Sequence, residues 1–154
     1  MHISTVTGDL LEQLTEAIVN PWNQNVLPWW LLLPHGVSGA IKRRAGVAPF
    51  QELARAGRLA PGHAVVTSAG RLPYRAIIHV ASIHLWGRSS AQMIDLSVKH
   101  ALEAAENRPV RSLAFPLLGT GAGGFDTEAS EKRMFEILST RMSDLAVVLV
   151  RYDG

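Results

Sequence analysis

The residues whose types and spacing point most clearly to ligand binding form a glycine-rich segment, GTGAGGF, at positions 119–125. It follows an apolar run at 112–118 with the composition of a buried strand, and a helical pattern begins after it near Thr127. Four glycines within residues 119–124 let backbone N–H groups converge without Cβ interference, and a helix N-terminus adds a partial positive charge. The segment predicts a phosphate cradle, although from these residues alone a purely structural turn fits equally well.

A second glycine-bearing helix start lies at residues 36–46, GVSGAIKRRAG. Two such turns, each after a strand, could face one crevice at the carboxyl edge of a sheet, and a diphosphate would suit that crevice. No Gly-Lys-Ser/Thr follows the segment 119–125, so it is not a nucleotide triphosphatase loop. The acidic residue expected about twenty positions after a dinucleotide-fold glycine motif is also lacking in a suitable βαβ context.

Short strand-like runs alternate along the chain with amphipathic helical patterns. The predicted strands are 3–7, 17–19, 63–69, 76–82, 112–118 and 145–152. The predicted helices are 37–45, continuing after Pro49 with Phe50 and Leu53, then 90–107, and 127–142 with Met134, Ile137, Leu138 and Met142 facing inward. This alternation predicts an α/β fold in which helices cover both faces of a central sheet.

Two connections stand out from this alternation. Only GRLPYR separates the strands 63–69 and 76–82, which is too short for a parallel crossover, so these strands should be antiparallel and the sheet mixed. The segment 20–36, NPWNQNVLPWWLLLPHG, is rich in proline and tryptophan and is predicted to be a long loop between a strand and a helix. Loops of this length in a compact domain are often functional.

Composition sets the class of protein. The chain has 154 residues, 47% of them hydrophobic, which predicts a single domain over residues 1–154. It has no cysteine, which excludes a disulfide framework and a thiolate nucleophile or metal ligand. The N-terminal residues lack the features of a signal peptide, and no apolar run is long enough to span a bilayer. We therefore expect a soluble, cytoplasmic protein with no membrane partner.

The cations and histidines give weaker signals. The formal net charge is +2 with a sequence pI of about 9.4, and the one dense basic cluster is Lys42, Arg43 and Arg44. Such a cluster is either a solvated helix face or a contact for an anionic partner. No metal site is predicted, because four histidines lie on different elements without ligand spacing: His63, His79, His84 and His100.

Five motifs together resemble the macrodomain family in order, spacing and local structure. They are GDL at 8–10, IVNPWN at 18–23, GVSGAIKRRAG at 36–46, IIHVA at 77–81 and AFPLLGTGAGGF at 114–125. The resemblance covers nearly the whole chain. It implies a three-layer α/β/α sandwich with a mixed central sheet that binds ADP-ribose and, in many members, hydrolyses ADP-ribosyl linkages or related esters. It implies no cofactor besides this ligand.

The resemblance also implies roles at the adenosine end of the ligand. Asp9 matches the aspartate that accepts a hydrogen bond from the adenine amino group, with the Leu10 backbone beside it; its alternative role is an N-cap for a short helix. Tyr152 matches the position of an aromatic residue that flanks adenine, and its alternative is a place in the core.

At the diphosphate and the distal ribose, the resemblance assigns further residues. Asn20 and Asn23 match two family asparagines, the second near the distal ribose, whereas Asn20 has an alternative structural role in a turn. Phe125 would pack on the distal ribose or, alternatively, plug the core. The first phosphate loop comprises Gly36, Val37 and Ser38, and the second comprises Thr120, Gly121, Ala122, Gly123, Gly124 and Phe125.

Two departures from the family pattern matter. Ser38 stands where the family aspartate that supports water activation in one hydrolase subgroup is found, so that mechanism does not transfer intact. The loop before Gly36 is longer than in that subgroup and carries Trp29, Trp30 and His35.

Two functions remain open at this point. In a hydrolase, Asn23 would position the water or the ribose hydroxyl, and His35 and Asp126 are the acid/base candidates; Asp126 is also a natural N-cap and His35 an ordinary surface or packing residue. In a non-catalytic reader, favoured by the missing aspartate, the crevice binds free or protein-linked ADP-ribose. ADP-ribose on nucleic acid is a third possible substrate, with the basic cluster at residues 42–44 and the tryptophans as contacts. The sequence predicts no oligomeric state.

Overall fold

The computed structural model describes residues 1–23, 36–83, 89–120 and 124–152. Six strands are present in these ranges: β1 His2–Thr7, β2 Ala17–Asn23, β3 Ala64–Thr67, β4 Ala76–Ile83, β5 Ser112–Pro116 and β6 Ala146–Arg151. Four α-helices accompany them: α1 Gly36–Ala45, α2 Ala48–Arg55, α3 Ala91–Glu106 and α4 Thr127–Ser139, with a 3-10 turn at Leu10–Glu12.

The strands form one sheet in the order β1-β6-β5-β2-β4-β3. Neighbouring strands are parallel except at one edge, where β3 runs antiparallel to β4 with Thr67 opposite Ile77. The prediction of a mixed sheet is confirmed, because the short connection between β3 and β4 leaves no room for a crossover.

Helices cover both faces of this sheet. Residues alternate between the faces along each strand, so that Val19 packs on one core with α3 and α4, and Ile18 packs on the other with α1, α2 and the 3-10 turn. Met134 and Leu138 of α4 are fully buried, as predicted. The three-layer α/β/α architecture is confirmed. None of the helices in the described ranges has both the length and the apolarity to cross a bilayer.

The sheet opens at its carboxyl edge between β2 and β5. These strands are paired only at Ala17 with Leu113 and Ile18 with Ala114, whereas β2 continues alongside β4 as far as Asn23. The helices that come next along the chain lie on opposite faces, α1 after β2 and α4 after β5. Neighbouring parallel strands whose connections leave to opposite faces create a crevice between them, where ligands of α/β folds bind.

Two sequence predictions were wrong in their boundaries. Residues 20–23 belong to β2 rather than to a loop; Pro21 is tolerated because this part of β2 pairs on one side only and contains a bulge before Asn23. Helix α4 ends at Ser139, where the hydroxyl of Thr140 donates to the Ile137 carbonyl. Met142 therefore lies beyond the helix and is 99% exposed instead of facing inward.

Candidate ligand crevice at the carboxyl edge

The predicted binding residues come together at one edge of the sheet. Asp9 follows β1, Tyr152 follows β6 and the glycine-rich segment follows β5. Asn20 lies in β2, and Ser38 lies in the first turn of α1. Because β1, β6, β5 and β2 are consecutive parallel neighbours, their carboxyl ends line this edge in that order.

The glycine-rich turn, residues 119–125, is closed by a hydrogen bond from the Phe125 N–H to the Gly119 carbonyl at 2.9 Å. Both flanking glycines have left-handed backbone, φ 78° at Gly119 and 69° at Gly124. Their surroundings differ: a Cβ on Gly119 would lie 2.8 Å from the Ser89 hydroxyl oxygen, whereas no described atom lies within 4 Å of a Cβ on Gly124. Gly119 is therefore required by packing, and Gly124 faces open space that a ligand can occupy. Gly121, Ala122 and Gly123 lie outside the described residues.

Two side chains of helix α4 contact the backbone of Leu118, immediately before this turn. The Ser130 hydroxyl donates to the Leu118 carbonyl at 2.7 Å, and the Leu118 N–H lies 3.3 Å from the Met134 sulfur. Phe125 is partly buried against the core beneath α3 and α4, which agrees with the alternative role as a core plug. The hydroxyl of Thr120 donates to the Leu117 carbonyl at 2.8 Å, inside the turn.

Asp126 begins α4 as its N-cap. Its carboxylate accepts from the Ala129 N–H at 2.9 Å, which satisfies one of the free amides of the first turn. The geometry thus supports the capping role that the sequence left as an alternative to acid/base chemistry.

The start of α1 follows β2 on the sheet face opposite to α4, on the other side of the sheet opening from the glycine-rich turn. Gly36 has φ 56°, with no described atom within 4 Å of a Cβ placed there. Val37 packs on the core under α1, and Ser38 is partly exposed. The first turn has no acidic residue and the last turn carries Lys42, Arg43 and Arg44. The positive end of the helix dipole is therefore not neutralised from within the helix and favours an anion.

Three fully or nearly buried polar side chains form a hydrogen-bonded row beneath α1 and α2. The Asn20 amide nitrogen lies 2.9 Å from His79 Nδ1, and His79 Nε2 lies 2.8 Å from the Thr67 hydroxyl. The same amide nitrogen donates to the Ser38 hydroxyl at 3.3 Å. Asn20 and His79 are both 0% exposed. With the partly exposed Ser38 as its fourth member, the row links the antiparallel edge strand β3 to the first turn of α1.

Burial lowers the pKa of His79 to about 3, so its imidazole is neutral at physiological pH. Phe50 contacts the ring edge-on at a centroid distance of 5.8 Å, and Trp22 packs on Phe50 at 5.6 Å. His79 and Thr67 were not among the site residues predicted from the sequence. The available signal was a histidine inside the apolar strand AIIHVASI, since a buried polar side chain requires a partner.

At the end of this sheet edge nearest β1, Asp9 caps the 3-10 turn. One carboxylate oxygen accepts from the Leu11 N–H at 2.8 Å, and no partner for the other oxygen lies among the described residues, so Asp9 can cap and still accept from a ligand. The Leu10 side chain is buried and fixes this turn on the core. Tyr152 is 74% exposed, which rules out the core alternative and leaves its ring available to a ligand.

Several predicted residues lie wholly or partly outside the described ranges. His35, Trp29 and Trp30 lie outside the described residues, as does the side chain of Asn23. Elsewhere, the His63 and His100 rings are 4.7 Å apart, and His100 Nδ1 contacts the Gly62 carbonyl. Within the described ranges, no three His, Asp or Glu side chains converge as a metal site would require. The absence of a metal stays a prediction.

The fold and the crevice define an α/β/α sandwich domain with two glycine-bearing turns at the carboxyl edge of its sheet. The family model described as Macro domain matches residues 19–134, more than half of the chain. The chain therefore belongs to the macrodomain family.

Curated relatives and solved structures agree with this family. The chain is 36% identical to an O-acetyl-ADP-ribose deacetylase of Klebsiella pneumoniae, over 94% of this chain and 85% of that protein. It is 33% identical to the enzyme of the same name from Citrobacter rodentium, over 99% and 89%. The macrodomain of Mycobacterium tuberculosis DarG superposes with a TM-score of 0.79 at 26% identity, over 96% of each chain. A mutant Oceanobacillus iheyensis macrodomain with ADPR reaches 0.81 at 24% identity, over 97% and 84%.

Proposed function

We propose that this macrodomain binds ADP-ribose in the crevice between β2 and β5 and hydrolyses an ester or ADP-ribosyl linkage at its distal ribose. The observation that carries the proposal is the pair of turns at Gly36–Ser38 and Gly119–Phe125 on the two sides of the sheet opening. The names of the relatives support it, since O-acetyl-ADP-ribose deacetylases act on an ester of ADP-ribose.

The order of strands predicts how the bound ligand is oriented along the sheet edge. Asp9 and Tyr152, after β1 and β6, would take the adenine, and the two turns after β5 and β2 would take the diphosphate. The distance from β1 to β2 is three strand spacings, on the order of 14 Å. The distal ribose then lies beside Phe125 and the end of β2, where Asn23 stands.

Catalysis at this site would depend on orientation and electrostatic stabilisation. In ester hydrolysis, water attacks the acyl carbon, the bond to the ribose oxygen breaks, and that oxygen takes up a proton as the acid is released. For a glycosidic linkage, the water attacks the anomeric carbon instead, the bond from that carbon to the linking atom of the modified macromolecule breaks, and that atom takes up a proton as it leaves. The helix dipole of α1 and the N–H groups of the glycine turn would stabilise negative charge on the phosphates and hold the water in place. Asn23 and His35 are the proposed residues next to the reacting atoms.

A non-catalytic reader is the second candidate function. It is favoured by Ser38, which supplies no carboxylate at the start of α1, and by Asp126, whose carboxylate caps α4. A reader would use the same crevice and the same adenosine contacts.

Calorimetry and turnover assays test the two candidates in sequence. We expect heat of binding with free ADP-ribose; no heat and no thermal shift at millimolar ligand would exclude both functions. Turnover is then measured with O-acetyl-ADP-ribose, with ADP-ribosylated protein and with ADP-ribosylated nucleic acid. Binding without release from any of these substrates would identify a reader. Release that is unchanged in both Asn23→Ala and His35→Ala would contradict the proposed reaction centre.

A further inference from the structure

A donor and an acceptor can be assigned to each hydrogen bond in the row Thr67–His79–Asn20–Ser38. The Thr67 hydroxyl has one proton, which it donates to the Ser68 carbonyl at 2.9 Å. It must therefore accept from His79 Nε2, 2.8 Å away, which places the imidazole proton on Nε2. In the neutral ring Nδ1 is then bare and accepts from the Asn20 amide nitrogen.

This tautomer fixes the orientation of the Asn20 amide. The NH₂ group must face His79 and Ser38, because His79 Nδ1 has no proton to give to an amide oxygen. The amide oxygen of Asn20 is consequently buried without a partner among the described residues. Ser38 accepts from the amide, so the proton of its own hydroxyl is not used toward Asn20. No acceptor for that proton is found in the described part of the chain.

We propose that Thr67 and His79 are positioning residues which, through Asn20, present the Ser38 hydroxyl as a hydrogen-bond donor at the start of α1, making this turn selective for an oxyanion such as a phosphate oxygen. The proposal rests on the proposed function, because the oxyanion is part of the ligand in the crevice. Neither Thr67 nor His79 contacts that ligand; each acts through its neighbour in the row.

The opposite tautomer would reverse the chemistry of the turn. A proton on His79 Nδ1 would require the oxygen of Asn20 at the same place, and Ser38 would then donate inward to that oxygen. The turn would lose its side-chain donor to the ligand, and Asn20 would bury two unpaired N–H groups. The position of one proton therefore decides whether Ser38 accepts or donates toward the crevice.

Nitrogen-15 NMR of the ligand-free protein tests the orientation directly. We expect a protonated Nε2 and an unprotonated Nδ1 for His79, with the Asn20 amide protons protected from exchange. A protonated Nδ1 would overturn the proposal. This measurement needs no variant, so it decides the orientation whatever the stability of the mutants described next.

A double-mutant cycle between Thr67 and Ser38 tests the transmission. Removing one neutral hydrogen bond costs about 1 kcal/mol, so Ser38→Ala and Thr67→Val should each weaken ADP-ribose binding by roughly fivefold. If Thr67 acts through Ser38, the double variant binds no more weakly than Ser38→Ala alone. Thr67→Ser, which keeps the hydroxyl, should restore affinity. Additive losses in the double variant would overturn the proposal.

Thr15→Val is the matched control for the cycle. The Thr15 hydroxyl donates to the Ala17 carbonyl at 3.0 Å, at the amino end of β2 and away from its carboxyl end, so this variant loses a hydrogen bond without touching the row. It should lower stability and leave affinity unchanged. If wild-type protein does not bind ADP-ribose, the proposed function fails. Inorganic pyrophosphate then becomes the probe of the turn, and binding that is unaffected by Ser38→Ala overturns the oxyanion selectivity.

Discussion

The two turns that flank the crevice are held in different ways. The turn at Gly119–Phe125 is fixed through its backbone, by its own closing hydrogen bond and by Ser130 of α4, and it presents Gly124 to the opening. The turn at Gly36–Ser38 is fixed through a side chain, by the buried row that ends at Ser38. The turn after β5 offers a ligand open space beside its backbone, and the start of α1 offers the Ser38 hydroxyl in a fixed orientation. Mutations should therefore affect the two turns differently.

The largest expected effect is a loss of affinity from Gly124→Glu. A carboxylate placed about 4 Å from a phosphate charge is repelled by on the order of 4 kcal/mol at the dielectric of a protein surface, so ADP-ribose affinity should fall by at least about 100-fold. Gly57→Glu is the matched control, because Gly57 also has left-handed backbone, φ 77°, with no described atom within 4 Å of a Cβ. Equal affinity in the two variants would mean that the turn after β5 is only structural.

The next largest effect is a difference in the free energy of unfolding between alanine variants at the two ends of that turn, Gly119 and Gly124. Gly119→Ala brings a Cβ within 2.8 Å of Ser89 and should lower the free energy of unfolding by roughly 2–4 kcal/mol, from strain and overpacking together. Gly124→Ala meets open space and should cost only the backbone strain, roughly 1–2 kcal/mol. Urea unfolding of both variants measures the difference. Equal losses would contradict the packing role of Gly119.

The buried row should make stability depend on pH. His79 has a pKa of about 3 in the fold and 6.5 as a free group, so the unfolded chain binds its proton first as the pH falls. This histidine therefore contributes a loss of unfolding free energy between about pH 6.5 and 3, on the order of 1 kcal/mol per pH unit, and nothing above that window. Urea unfolding of wild type and His79→Gln at pH 7 and pH 5 isolates the effect from the carboxylates. The same pH dependence in both proteins would refute a neutral buried His79.

The smallest effect concerns Asp126. Asp126→Ala removes the N-cap of α4 and should cost about 1 kcal/mol of stability. Asp126→Asn keeps a capping oxygen and removes the charge, so it should retain both stability and turnover. A variant that is stable but inactive would instead assign Asp126 an acid/base role and tie the turn after β5 to catalysis.

Much of the fold could be predicted from sequence because the relevant signals are local. Apolar runs, helical periodicity and the short GRLPYR connection lie within a few residues, and the mixed sheet, the helical layers and the core positions of Met134 and Leu138 followed from them. Element ends were less predictable. Pro21 predicted a loop, but β2 continues through this proline because it pairs there with β4 on one side only. Helix α4 ends before Met142, at the point where the Thr140 hydroxyl donates to the Ile137 carbonyl.

The candidate site was predictable only in part. Residues whose proposed roles depend on the backbone or on position along an edge, such as Gly124 and Asp9, could be located from motif and strand order. The row from Thr67 to Ser38 does not, because it joins four separate elements and depends on which side chains meet beneath α1. His79 stands 59 positions from Asn20 along the chain, and no local pattern relates them.

The limited pairing of β2 with β5 divides the sheet into two three-stranded halves, β1-β6-β5 and β2-β4-β3, joined in register at only two positions. A ligand bound between the two turns would contact both halves of the sheet, one through the turn after β5 and the other through the start of α1, and would therefore link the two halves. Its binding energy would then add to the contacts that keep the halves in register, and the apparent stability of the whole domain should rise with ligand concentration as mass action requires.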